Sequence, residues 1–549
     1  MSLYRDKKVL VVDDFPEFRM SIRQMLLSIK VTDIHMANTG EEALRMCQRA
    51  KFDIVLCDYN LGDGKDGQQL LEELREYSLL PHTSIFMMLT AENTAFMVMG
   101  ALENNPDAYL TKPFTRQDLK ARLDRLCSIK DELERVNYAM DAKDHETTLR
   151  SCDELITAKS KMSSHALKIK ANTLIKMGRK QDAESIYRLV MKARPVVWAE
   201  MGLAKVLHEK EEFEQSIDLL ESIVKKNDNY LDAFDLMAEN YVAMGDTRKA
   251  QQILTKAISK SAKSPQRQHK LGQVARDNND IDTATRALRR TVELSQNGLY
   301  QNPTNVLDYV EALKDKASID ESLAAKRAGA DALNALEKYK KDIRKDPNTN
   351  VYSKILESKI LKVQKKELDA VRAARDAKKM QEELASDVGA DVVAELAETM
   401  LECGEFEDAA MLLNQLTSMN LDDAKNAEKV QKSIDAMMSN TELKEFHNSL
   451  NVNNQRGVEL YDEGILDKAI DEFRLALEGA EDSITINLNL AQALIKNIQL
   501  TNDLNADVLD EAKACFDRVG NIERENPRYS RYCDLNKLYQ GYLSKVAGG

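Results

Sequence analysis

The sequence is poor in the residues that interrupt helices and in aromatic side chains. Its 549 residues include only 9 prolines and 20 glycines, and aromatic residues make up 5%. Because glycine and proline disfavour helix interiors, their scarcity beside abundant Ala, Leu, Glu and Lys predicts a largely helical chain. At roughly 150 residues per domain, the length predicts three or four structural units.

Paired cysteines, long apolar runs and an excess of positive charge are also missing. The seven cysteines are scattered and form no CxxC pair, which indicates reduced thiols. The sequence contains no signal-type segment and no stretch of about 18 apolar residues. A formal net charge of -13 argues against general affinity for nucleic acid or anionic membranes and favours protein partners. We therefore expect a cytoplasmic protein that binds neither nucleic acid nor membrane.

Strand and helix patterns alternate over the first 127 residues. Apolar runs typical of strands occur at 8–14 (KVLVVDD), 33–38, 52–58, 84–90 and 107–111. Helical patterns lie near residues 15–29, 39–50, 67–76, 93–103 and 114–127. Such alternation predicts a doubly wound α/β domain, with a five-stranded parallel sheet between helices on both faces.

Polar groups stand where these strands end, and ligands of parallel sheets bind outside the carboxyl ends of the strands. Asp13 and Asp14 end the first strand, Asp58 the third and Thr90 the fourth, and Lys112 follows the fifth. Carboxylates this close repel each other by about 4 kcal/mol per pair at an effective dielectric of about 20, so a divalent cation is expected. Oxygen ligands with room for water favour Mg2+. These five residues suit phosphoryl transfer, in which Asp58 is the nucleophile and Lys112 and Thr90 hold the phosphoryl oxygens.

Four segments, VVDDFPEFR, LCDYNL, MLTA and YLTKPF, resemble the receiver domain of bacterial two-component response regulators over residues 6 to about 127. The resemblance implies that Asp58 is the phosphoacceptor, that Lys112 pairs with the phosphoryl group, and that Thr90 and Tyr109 form a switch. A cis bond between Lys112 and Pro113 is also implied. The implied magnesium site consists of Asp13, Asp14, Asp58 and the main-chain carbonyl of Asn60.

The loop after Asp58 departs from the family pattern. Receivers commonly have proline four residues after the acceptor and glycine at plus eight, whereas this chain has Gly62 and places Gly67 at plus nine. The loop is therefore one residue longer.

Other interpretations of these residues stay open. Taken singly, the Asp13–Asp14 pair can cap a helix and Lys112 can be a surface lysine, and the whole domain can be a degenerate receiver that serves only for docking. A phosphatase of the haloacid dehalogenase type is disfavoured, because it requires a second Asp where Asn60 stands.

Beyond residue 130 the chain shows a repeat of helix pairs. Small residues recur at spacings of 33, 34 and 34, at Ala183, Ser216, Ala250 and Ala284. Their surroundings, such as LMAENYVAMGDTRKAQQILTKAI, resemble tetratricopeptide (TPR) repeats, and similar units recur around Ala409, Ala469 and Ala512. The predicted fold is thus a receiver domain followed by an all-α TPR-like solenoid.

The predicted boundaries are a receiver at 1–127, TPR-like repeats at 128–298, an atypical helical segment at 299–390 and further TPR-like repeats at 391–549. Within the atypical segment, residues 354–384 have the pattern of one long amphipathic helix. The segment can be divergent repeats, a spacer or a dimerisation helix.

Stacked repeats form a concave groove that binds a partner segment. The resemblance places Trp198, Met201, Lys205, Glu239 and Arg276 on this groove. Trp198 is a candidate anchor, although after Pro195 it can instead pack under a turn.

These observations predict a response regulator that a sensor histidine kinase phosphorylates on Asp58 with Mg2+ as cofactor. Its TPR output would bind that kinase or another signalling protein. The chain would accept a phosphoryl group and lose it slowly, and would not be an enzyme. The alternatives are a phosphorylation-controlled scaffold outside two-component signalling and a phosphatase acting on a sister regulator.

Overall fold

A computed structural model describes residues 4, 6–62, 64–90, 106–296, 300–384, 387–419, 424–478, 483–501, 506–520 and 528–547. The chain divides into two compact units, Met1–Ala312 and Leu313–Gly549. The helix predicted at 93–103 lies outside the described residues. None of the helices in these ranges combines the length and the apolar character that a membrane span requires. All seven cysteines are unpaired.

The first unit begins with a parallel five-stranded sheet in the order β2-β1-β3-β4-β5. The strands are β1 Lys8–Val12, β2 Asp33–Ala37, β3 Ile54–Asp58, β4 Ile85–Thr90 and β5 Ala108–Thr111. The flanking helices are α1 Pro16–Ser28, α2 Gly40–Arg49, α3 Gly67–Glu76 and α4 Arg116–Glu132. The predicted α/β fold is therefore confirmed.

Helices cover both faces of this sheet, so β3 and β4 are buried over their whole length. On one face, Ile22 and Leu26 of α1 and Leu123 of α4 pack against Val9, Val11 and Leu56. On the other, Ala43 of α2 and Leu70 of α3 pack against Leu10, Val55 and Phe86. This double cover explains why the strands are continuous apolar runs.

Helix pairs follow the sheet within the first unit. They are α5 Glu134–Asp141, α6 His145–Thr157, α7 Ser163–Lys176, α8 Lys180–Ala193, α9 Val197–Glu209, α10 Phe213–Lys226, α11 Leu231–Ala243, α12 Thr247–Lys260, α13 Pro265–Asp277 and α14 Ile281–Ser295. The next helix, α15 Pro303–Ala317, contains the boundary between the two units. The four small residues that mark the repeat are the fourth residues of α8, α10, α12 and α14, and none of them is exposed. Their size lets paired helices approach closely.

The turn inside each helix pair also repeats. A residue with positive φ stands five positions before each small residue, where it ends the preceding helix. These turn residues are Gly178, Glu211, Gly245 and Asn279, and Gly404 and Gly464 stand in the same relation to Ala409 and Ala469.

In the second unit, the described residues that follow α15 form helices joined by turns and short connecting segments. Its helices are α16 Leu323–Lys338, α17 Lys340–Ile343, α18 Pro347–Val363, α19 Glu367–Leu384, α20 Ala390–Glu402, α21 Phe406–Ser418, α22 Ala424–Met437, α23 Thr441–Asp462, α24 Leu466–Glu478, α25 Ile484–Thr501, α26 Ala506–Val519 and α27 Tyr529–Ala547.

The prediction of one long helix over 354–384 is wrong, because α18 and α19 form a packed pair there. The chain turns at Lys365, whose φ of 61° lies in the left-handed region. The Ser358 hydroxyl donates a hydrogen bond to the Ala370 carbonyl at 2.8 Å across the pair. Apolar periodicity continues through so short a turn, and no glycine or proline marks it in the sequence.

Candidate functional site

The carboxyl end of the sheet brings three carboxylates together. One oxygen from each of Asp13, Asp14 and Asp58 lies within 4.8 Å of the other two. Asp13 is fully buried, and Asp58 is only 7% exposed. The residues meet because β1 pairs with β3 in parallel, with Val12 opposite Cys57, so both strands end at the same edge.

Lys112 supplies positive charge to this cluster. Its Nζ lies 2.7 Å from Asp13 Oδ2 and 2.9 Å from Asp58 Oδ2. The Lys112 N–H donates to the Thr90 carbonyl at 2.7 Å, which extends the pairing of β4 with β5 to the site. The Lys112–Pro113 bond is cis.

Phe18 is a site residue that sequence reasoning missed. The Lys112 ammonium lies 4.0 Å from the centroid of the Phe18 ring, which in turn packs edge-on against Phe114. A cation at this distance from an aromatic face is attracted to it. Only its spacing in the sequence could have indicated this role: Phe18 lies four residues after Asp14, in the first turns of α1.

The site favours bound positive charge beyond that of Lys112. Burial raises the pKa of Asp58 above its ordinary value, while the hydrogen bond and the charge of Lys112 oppose this shift and the charge of Asp13 adds to it. Asp14 Oδ1 is buried and has no hydrogen-bond partner among the described residues. A buried carboxylate oxygen without a partner is costly in a metal-free protein and suits a cation ligand. The residues present therefore fit a divalent cation.

Two glycines let the loop between β3 and α3 approach the site closely. Gly62 has a φ of 73°, and a Cβ there would lie 3.2 Å from Asp14 Oδ2. A Cβ on Gly67 would lie 2.1 Å from the Asp58 carbonyl oxygen, so a side chain there would force the backbone apart. Asn60 is exposed at the start of this loop, and its role as a carbonyl ligand stays a prediction.

Thr90 and Tyr109 lie on neighbouring strands β4 and β5 and are both predicted switch residues. Thr90 is buried. The Tyr109 hydroxyl is buried without a hydrogen-bond partner in the described part of the chain, and burial raises the pKa of this phenol. Residues 91–105, which connect the two strands, lie outside the described ranges, so a coupled movement of Thr90 and Tyr109 stays a prediction.

The predicted groove residues lie on successive first helices of the repeats. The Trp198 ring packs against that of Tyr187 with centroids 6.1 Å apart, Met201 is buried and Lys205 is exposed. Glu239 accepts a hydrogen bond from Lys270. Arg276 Nη1 lies 2.6 Å from Glu311 Oε2. Partner binding by these five residues stays a prediction.

Comparison with known proteins assigns two regions of the chain. Residues 9–124 match the family described as "Response regulator receiver domain". Residues 132–266 match the family "Psidin, N-terminal TPR repeats region".

Individual relatives match the first of these regions. Chemotaxis protein CheY-3 of Vibrio cholerae is 32% identical over 124 residues, which cover 23% of this chain and 94% of the relative. Chemotaxis protein CheY of Pseudomonas aeruginosa is 33% identical over 130 residues, 24% of this chain and 98% of the relative. A solved structure of Vibrio cholerae CheY4 is 28% identical and covers 22% of this chain and 98% of that chain, with a TM-score of 0.21.

Proposed function

Since the chain belongs, through its N-terminal domain, to the response regulator receiver family, we propose that it is a regulator of a two-component phosphorelay that is phosphorylated on Asp58. The observation that carries this proposal is the cluster of Asp13, Asp14 and Asp58 at the carboxyl end of the sheet, in which Lys112 pairs with Asp13 and Asp58. In this proposal the TPR region is a protein-binding output.

The geometry supports a phosphoryl transfer to Asp58. A carboxylate oxygen of Asp58 attacks the phosphorus, the new O–P bond forms, and the bond from phosphorus to the donor breaks with its electron pair leaving on the donor. Lys112 opposes the effect of burial and so favours the ionised carboxylate that this attack requires. Once the phosphoryl group is attached, the same ammonium lies within reach of its oxygens. The chain thus acts as an acceptor and not as an enzyme.

Magnesium fits the acidic cluster. Asp13, Asp14, Asp58 and the carbonyl of Asn60 would hold it, and the cation would neutralise negative charge on the phosphoryl oxygens. Thr90, buried at the end of β4, would donate to one of these oxygens and Tyr109 would respond to that change, as the two predicted switch residues.

The surface near the site is compatible with a protein as phosphodonor. Phe15, which follows Asp14 in the sequence, and Met20 in α1 are 61% and 45% exposed. Exposed apolar side chains near a reactive group are compatible with docking of a protein donor. A sensor histidine kinase is the donor that receiver chemistry implies, and we propose that it or another signalling protein binds the TPR region.

Labelling with a small phosphodonor tests the acceptor assignment. Acetyl phosphate with Mg2+ should add one phosphoryl group to the full chain, detected by intact-mass spectrometry. Asp58→Asn should abolish the addition. Asp53→Asn, at the opposite end of β3, is the matched control and should label like wild type. Equal labelling of Asp58→Asn would contradict the assignment.

A further inference from the structure

A contact between the loop of residues 59–67 and the repeat helices lies within the first unit, one residue from the phosphoacceptor. Tyr59 directly follows Asp58 and is 5% exposed. Its N–H donates to the Leu89 carbonyl at 2.8 Å, and its hydroxyl donates to Gln68 Oε1 at 3.3 Å. The ammonium of Lys263, which lies between α12 and α13, stands 5.7 Å from the Tyr59 ring centroid.

Gln69 makes a second contact at the other end of this loop. With Asp66 it forms the capping box of α3: Asp66 Oδ1 accepts from Gln69 N at 2.8 Å, and Gln69 Oε1 accepts from Asp66 N at 3.1 Å. Gln69 Nε2 donates to the carbonyls of Leu294 and Gln296, at 3.4 Å each. Carbonyls at the end of a helix such as α14 lack partners within that helix, so Gln69 satisfies groups at two helix ends.

Lys263 also interacts electrostatically with the α3 end of the loop. Burial raises the pKa of Asp66, whereas the charge of Lys263 acts in the opposite direction and so stabilises the ionised carboxylate. Inside the receiver domain, the Lys65 N–H donates to Glu41 Oε1 at 3.0 Å and the Lys65 side chain pairs with Glu73. Among the described residues of the loop, Lys65 is therefore held by α2 and α3, while Tyr59 and Gln69 at its two ends contact the repeat helices.

We propose that Lys263 and Gln69 are positioning residues of the phosphoacceptor site, through which the repeat helices α12–α14 hold the loop that follows Asp58. The inference rests on the proposed function and adds a coupling to it. Because this loop carries Asn60 and begins at the acceptor, any change of the loop on phosphorylation changes the contact with the repeats. Linkage requires the reverse effect as well, so weakening the contact changes the affinity of the site for a phosphoryl mimic. Because the contact positions the loop beside the acceptor, its loss also slows the labelling of Asp58.

Variants of Lys263 in the full chain test the coupling. Lys263→Met removes the charge and the contact with Tyr59, whereas Lys263→Arg retains a cation able to stack on the ring. The matched control is Lys256→Met, because the Lys256 ammonium lies 5.4 Å from the centroid of Phe234 within the repeats. At saturating Mg2+ and a fixed acetyl phosphate concentration, the labelling rate of Asp58 should fall at least threefold in Lys263→Met. It should stay within twofold of wild type in Lys263→Arg and Lys256→Met.

Hydrogen exchange supplies a readout that does not depend on labelling. Mg2+ with beryllium fluoride, a phosphoryl mimic, should change amide exchange of wild type in segments 261–264 and 290–296, and this response should be lost in Lys263→Met. The inference is overturned if Lys263→Met labels at the wild-type rate and keeps the exchange response. Failure of wild type to label on Asp58 would instead overturn the proposed function on which the inference rests.

Discussion

At the scale of single residues, a substitution of Asp14 should change metal binding without impairing folding. Its Oδ1 is buried without a described hydrogen-bond partner, and the two neighbouring carboxylates repel it. We expect Asp14→Ala to abolish Mg2+ binding, measured by isothermal titration calorimetry, because a ligand is lost. The free energy of unfolding of the metal-free protein should stay the same or rise, because no apolar contact is removed.

Asp33→Ala is the matched control for this prediction. Asp33 lies at the amino end of β2 and pairs with His35, so its removal should leave Mg2+ affinity unchanged. An unchanged affinity in Asp14→Ala would mean that Asp14 is not a Mg2+ ligand.

Packing of single elements depends on a few small residues between helices. A Cβ added to Gly202 of α9 would lie 2.4 Å from the ring of Tyr187 on α8. Gly202→Ala should therefore lower the free energy of unfolding of the first unit by about 1–3 kcal/mol, the usual range for overpacking. Urea unfolding followed by circular dichroism measures this change.

Gly541→Ala provides the comparison for Gly202. Gly541 lies inside α27, and an added Cβ there meets no atom within 4 Å. Because alanine is the better helix former, this variant should be neutral or stabilise its unit by up to about 1 kcal/mol. Equal effects of the two substitutions would show that helix propensity, not packing, governs Gly202.

Periodicity in the sequence predicted most elements correctly but missed contacts between distant segments. The five strands and the meeting of Asp13, Asp58 and Lys112 followed from apolar runs and from the rule that parallel strands end at one edge. The α18–α19 pair was missed because Lys365 adopts a turn conformation that sequence patterns associate with glycine. Lys263 was missed because its approach to Tyr59 depends on how the repeats pack on the sheet domain, which no local pattern encodes.

At the scale of the whole molecule, the predicted groove of the repeats is the surface expected to bind a partner. Lys205 is exposed, its charge acts on the Asp232 carboxylate of the next repeat, and Trp198 lies on the same helix as Lys205. If the groove binds a kinase or another signalling protein, Trp198→Ala combined with Lys205→Glu should weaken capture in a quantitative pull-down at least about tenfold. Labelling of Asp58 by acetyl phosphate should remain normal.

The control for the groove carries equivalent changes on α8, the second helix of the preceding pair. Leu189 is 65% exposed there and Lys192 is exposed as well. Leu189→Ala combined with Lys192→Glu should retain every partner. If the groove variant also retains them all, the residues that bind the partner lie elsewhere.

The ion pairs between neighbouring repeats have a consequence for the choice of ligand. Arg267 pairs with Asp235, Lys270 with Glu239 and Arg276 with Glu311, so these charges are neutralised inside the chain. A charged peptide bound here would exchange one ion pair for another and would gain little free energy from opposite charge. If this surface binds a partner, it should therefore discriminate among ligands by shape and hydrogen-bonding pattern, and proteins that are merely acidic or basic should compete poorly for it.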